Sequence, residues 1–288
     1  MVDKQGLEEW LISKNAQYRA EEIPPSNRPF KALGDYSREF NCVFSFDSVI
    51  AKIIVDWFYK CSTPESRYIG SVFTAAFYFD ACFWPLEIFL GFGQFSINPL
   101  DCLDTMPEEL KIDISKNPQS FNNLAFYWAD CFDYAYGFDE IQECGKLNST
   151  TLSFLKNADL ELRGAVAQLI LTTPNTKAIL SLRMACEIFL KALLVQERNS
   201  TTLELQKFGH NIKNIAEACY SATNVAEFNL VANGADVFPN VSERYDGNEK
   251  SLAQIWRALC IAQIAATTVV RYYTDRDVRL KLCLSTND

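Results

Sequence analysis

Along most of the chain, apolar residues return every three to four positions, the spacing that places them on one face of a helix. Gly6–Ala20 reads as a short amphipathic helix stopped by Ile23-Pro24-Pro25. Arg28–Ser48 is mixed, and Phe40–Phe46 (FNCVFSF) within it reads as a short strand. Val49–Lys60 is helical, and Thr63-Pro64-Glu65 is a start signal for a further apolar helix. Three proline dipeptides, Asn98-Pro99, Met106-Pro107 and Asn117-Pro118, predict loops and turns across Gly91–Pro118. A long aromatic-rich helix is expected from Gln119 to Cys144.

From Thr150 the periodicity sharpens. Leu152–Leu171 and Asn175–Arg198 are two amphipathic helices separated by Thr172-Thr173-Pro174. Thr201–Tyr220 predicts two short helices kinked at Gly209, and Asn224–Gly247 a long irregular connection. A last long helix is expected over Lys250–Tyr273, capped near Asn248. The pattern describes an all-α protein with an N-terminal helical region, residues 1–149, of unassigned role. On it packs a C-terminal antiparallel bundle of four to five helices, residues 150–288.

Composition adds mostly exclusions. The apolar stretch Ser71–Phe95 is interrupted by Asp80, Pro85 and Glu87. A charge at a bilayer centre costs about 2.5–3.5 kcal/mol, so this stretch predicts a buried helix of a soluble protein and no membrane partner. Met1–Lys14 is polar, and no secretory signal is expected there. None of the ten cysteines forms a CxxC or CxC pair, which predicts buried, reduced thiols in a cytoplasmic protein. The net charge of −9 sits in the first half, with 12 basic and 22 acidic residues over Met1–Ser149 and 15 against 14 over Thr150–Asp288. An acidic first half repels phosphates, so neither a broad nucleic-acid surface there nor DNA as a partner is indicated.

Three pieces of the second half carry candidate chemistry. Arg183, Glu187 and Lys191 lie four apart on one helix, as neighbours that can pair. Gly209-His210 opens a short amphipathic helix, and Ser242-Glu243-Arg244-Tyr245-Asp246 lies in the loop before the last long helix. In this order the set resembles the HEPN superfamily, with its Glu-x-x-x-Lys-Ala-Leu helix, Gly-His helix start and Arg-Tyr loop, over about Leu152–Thr274. The resemblance implies a helical bundle that often dimerises and that acts in RNA cleavage, toxin–antitoxin pairs, antiviral defence or nucleotide binding.

The ribonucleases of that superfamily use an Arg followed four to six residues later by His. Here Arg244 is followed by Tyr245, Asp246, Gly247, Asn248, Glu249 and Lys250, and His210 is the only histidine in the chain. Metal-independent cleavage needs one group to take a proton and one to give it, and arginine cannot serve as the base. The expectation is therefore binding rather than cutting: Arg183, Glu187, Lys191, His210, Arg244 and Tyr245 line a groove for a nucleotide, an RNA end or a partner protein. Two alternatives stand beside it. One is a ribonuclease of altered motif with His210 and Arg244 as its catalytic candidates; the other is a structural or regulatory homodimer.

The first half offers carboxylates at Asp80, Glu87, Asp130, Asp133, Asp139, Glu140 and Glu143. A di-iron bundle needs Glu-x-x-His on two helices, and this half holds no histidine, so neither metal nor other cofactor is expected. Asp130 and Asp133, three apart, read as a solvated helix edge. P-loop, GxGxxG, GxSxG and HExxH motifs are absent.

Overall fold

The computed structural model describes residues 4–42, 48–61, 71–89, 97–143, 145–240 and 250–285. Helices dominate it, with one small two-stranded sheet, so the protein is all-α in class. Two compact units, Met1–Gly70 and Ser71–Asp288, divide the chain. The boundary expected at 149/150 falls inside the second of them.

The first unit holds α1 (Lys4–Ala20), α2 (Arg28–Glu39) and α3 (Val49–Lys60). Leu7, Leu11 and Tyr18 of α1 close on Ala32, Leu33 and Tyr36 of α2 and Ala51, Ile54 and Phe58 of α3. Each set keeps helical spacing, which is why three short helices can share a core. Arg28–Glu39, ambiguous in sequence, is helical because Pro29 sits in the first turn, where its missing N–H costs nothing. Phe40 ends α2 as its C-cap, packed at 4.5 Å against Tyr36, rather than opening a strand. The remainder of that expected strand, residues 43–47, lies outside the described residues, as does Thr63-Pro64-Glu65.

The second unit begins with a correction. Residues expected as a buried helix form an antiparallel hairpin, β1 (Phe73–Phe79) and β2 (Cys82–Ile88), in register from Phe73↔Ile88 to Phe79↔Cys82. Phe73, Ala75 and Phe77 alternate onto the core face beside Ile88 and Leu86, a period of two hidden by apolar neighbours. Asp80 and Ala81 make the two-residue turn with φ of 50° and 57°.

A single-turn 3-10 segment at Pro99–Cys102 follows, within the loops and turns expected there, and then α4 (Glu108–Lys116), which was not expected. Two glutamates in the first turn and Lys116 in the last favour that helix through its dipole. Then come α5 (Pro118–Glu143), α6 (Ser149–Leu169) and α7 (Ala178–Arg198). The chain continues through α8 (Thr202–Lys207), α9 (Ile212–Thr223) and α10 (Glu227–Gly234) to α11 (Leu252–Tyr273) and α12 (Val278–Ser285). Three expectations change here. The connection after Asn224 contains α10 and a 3-10 turn, Ala235–Val237; α11 is capped by a reciprocal Ser251–Gln254 box rather than near Asn248; and α12 follows it.

α7 is the hub, packed on α6, α9 and α11, while α5 joins the same core through α11. That places a helix of the expected N-terminal region within the bundle. Gly137 of α5 lets α11 approach so closely that an added Cβ would lie 2.3 Å from Val270 Cγ1. Asp130 and Asp133 are not a solvated edge. Both carboxylates are buried, with Arg271 at 2.8 Å from Asp130 and 2.7 Å from Asp133, and Arg279 of α12 at 2.9 Å from Asp130. Burial raises both above the usual carboxylate range, against the pull of these arginines.

By length and composition α11 could cross a membrane, but most of that apolar stretch is buried in the bundle. Cys102, Cys131, Cys186 and Cys219 are buried as free thiols, and burial pushes the Cys102 thiol up to about 11; Cys61 is exposed.

Candidate functional site

α7 places Arg183, Glu187 and Lys191 one turn apart on the side facing the link between α8 and α9. That link turns at Gly209, whose φ of +56° costs glycine little, and α9 then starts from Asn211, whose side chain accepts from the Asn214 amide at 3.0 Å. His210 therefore stands directly before a capped helix.

Glu187 is the centre of the arrangement and is only 4% exposed. Its Oε1 accepts from Lys191 Nζ at 2.7 Å, and Arg183 Nη1 lies 3.5 Å from its Oε2. His210 Nδ1 faces both oxygens, at 3.0 and 3.1 Å. Two carboxylate oxygens are acceptors, so Nδ1 is the nitrogen that carries a proton. The two cations also tie down the turn's backbone: Lys191 donates to the Gly209 carbonyl at 3.0 Å and Arg183 to the His210 carbonyl at 2.5 Å. A buried carboxylate thus fixes a turn whose histidine side chain remains 58% exposed, leaving its Nε2 edge for chemistry.

That ring borders a cleft of about 400 Å³ lined by Arg183, His210, Asn211, Lys213, Asp236 and Phe238, among others. The far wall is the 3-10 turn after α10. It is held there because Gly234 lets α10 lie on α11, where an added Cβ would meet Ile261 Cδ1 at 2.3 Å. Lys213 is exposed and makes no ion pair among the described residues. An uncommitted ammonium, a histidine and the first turn of α9 favour an anion, against one carboxylate, Asp236.

Of the six residues singled out by sequence, Arg183, Glu187, Lys191 and His210 converge. Arg244 and Tyr245 lie outside the described residues. Lys213, Asp236 and Phe238 were missed. Lys213 was legible in principle, because Ile212, Ile215 and Ala216 fill the buried face of α9 and turn it outward. Asp236 and Phe238 carried no signal, since the helix that positions them was read as loop. Among the described residues no group of three or more His, Cys, Asp or Glu side chains is placed to hold a metal ion.

Comparison of this chain with family models, with curated proteins and with solved structures finds no match.

Proposed function

We propose that the second unit is a HEPN-like bundle that binds a nucleotide, through its phosphates, in the cleft beside His210. The observation that carries this reading is the cleft's charge: exposed Lys213 and half-exposed His210 face it, while Glu187 is already neutralised by Lys191 and Arg183. A phosphate there meets the Lys213 ammonium, which makes no ion pair among the described residues. Phe238, 8% exposed, closes the same wall with an apolar edge.

Calorimetric titration of the whole chain with nucleoside mono-, di- and triphosphates tests the reading. Binding that weakens at least tenfold in Lys213→Glu is expected, a loss of about 1.4 kcal/mol or more. Absence of binding by every nucleotide at millimolar concentration overturns it.

A second reading, metal-independent RNA cleavage, is favoured by the Glu187–His210 contact, since a histidine held by a carboxylate suits a general base. RNA left intact by the protein in EDTA would rule it out; cleavage lost in His210→Ala would support it.

A further inference from the structure

We propose that His210 is a phosphoryl acceptor, forming a phosphohistidine at Nε2 with a nucleoside triphosphate as donor; this rests on the nucleotide reading above. Glu187 decides which ring nitrogen can react. Glu187 faces Nδ1 with both oxygens, at 3.0 and 3.1 Å, so the proton stays on Nδ1 and the lone pair on Nε2. The ring is 58% exposed on the cleft, so Nε2 can reach a phosphorus atom, whereas a histidine buried in the core could not. Its position is fixed from behind, by Arg183 on its own carbonyl and Lys191 on the preceding one. A nucleophile held this way loses little freedom on reaction.

The step balances without an oxidant or reductant. The Nε2 lone pair forms the N–P bond to the terminal phosphoryl group, the P–O bond to the bridging oxygen breaks, and the nucleoside diphosphate leaves with that electron pair. The ring gains positive charge while keeping the Nδ1 proton, which stays hydrogen-bonded to the Glu187 oxygens. The transferred group lies at the cleft that Lys213 and the first turn of α9 make favourable for anions.

Glu187 is here a positioning residue. Its role separates from simple structural support because it acts on the ring's reactivity.

The test incubates the whole chain with magnesium and a nucleoside triphosphate, and in a parallel arm with acetyl phosphate, followed by mass spectrometry at alkaline pH. The expected product is an acid-labile phosphate mapped to residue 210, absent from His210→Gln of unchanged circular dichroism. Glu187→Gln, assayed at saturating donor, should label at least tenfold more slowly. Label from acetyl phosphate alone, with no nucleotide bound, would uphold the acceptor and overturn the nucleotide reading and its donor. Nucleotide binding with no phosphate on residue 210 in either arm would overturn the acceptor and leave that reading standing. Label at another residue also overturns it.

Discussion

His210 turns its protonated nitrogen to both oxygens of Glu187, and the same carboxylate accepts from Lys191 at 2.7 Å. Glu187 thereby joins α7 to the turn before α9 through one buried charge. Removing one member of a buried charged group is costly because the others lose their counter-charge. Lys191 and Arg183 each keep a backbone carbonyl, which softens that cost. Glu187→Ala is therefore expected to destabilise the chain by about 2–3 kcal/mol, below the worst case for a stranded buried charge. Urea denaturation checks this; an unchanged midpoint would show that its three partners do not depend on it.

One substitution at two helical glycines should change stability in opposite directions. At Gly137, between α5 and α11, a methyl group would lie 2.3 Å from Val270 Cγ1. At Gly164 in α6 nothing stands within 4 Å of the new carbon. Gly164→Ala should stabilise by about 0.5–1 kcal/mol through helix propensity, whereas Gly137→Ala should cost about 1–3 kcal/mol through overpacking. Thermal melts of both variants decide it. A Gly137→Ala protein as stable as the parent would mean that α11 shifts without cost.

The helices with one clean apolar stripe were legible, and the elements that break the rule were not. α7 was legible as a helix but not by its core face. Of Leu180, Met184, Ile188 and Leu194, expected along one apolar face, the first three are half-buried, while Leu182, Ala185, Phe189 and Ala192 opposite Arg183, Glu187 and Lys191 are buried. The hairpin at Phe73–Ile88 was hidden because the face opposite Phe73, Ala75 and Phe77 carries Ala76, Tyr78 and Phe83, apolar as well, so no alternation survives. Its turn, Asp80-Ala81, lacks the glycine that usually marks a two-residue hairpin. At the site, Arg183, Glu187, Lys191 and His210 could be named from spacing and residue type. Their hierarchy could not, because burial of Glu187 depends on α8 and α9 folding back over α7.

That unusual turn makes its own prediction. Both central residues have positive φ, 50° at Asp80 and 57° at Ala81. Aspartate tolerates this region, but an alanine Cβ is crowded there by about 1–2 kcal/mol. Ala81→Gly should therefore raise stability by about 0.5–1 kcal/mol, since glycine's greater freedom in the unfolded chain offsets part of the relief. A loss of stability in chemical denaturation would contradict this turn geometry.

In the first unit, Tyr18 donates to Asp35 at 2.8 Å, and Lys14 and Arg38 lie beside the same carboxylate. Burial alone would raise Asp35, but the Tyr18 hydroxyl and the charges of Lys31, Lys14 and Arg38 outweigh it and hold the group below its ordinary 3.8. A carboxylate lowered by folding contributes stability above its unfolded value, and that contribution is lost as pH falls through the folded one. Asp35→Asn should thus cost about 1.5 kcal/mol at pH 7, the order of one hydrogen bond to a charged group. As the pH falls below about 3.8 the parent's carboxyl group also becomes neutral, and the gap between the two proteins should narrow. On the alkaline side burial, and then Asp35, raise the Tyr18 hydroxyl, so the bond outlasts an ordinary tyrosine's titration and fails only as pH rises through that raised value. Urea denaturation of parent and variant at pH 7 and pH 3 reads the difference directly. An equal gap at both would show that Asp35 acts through shape rather than charge.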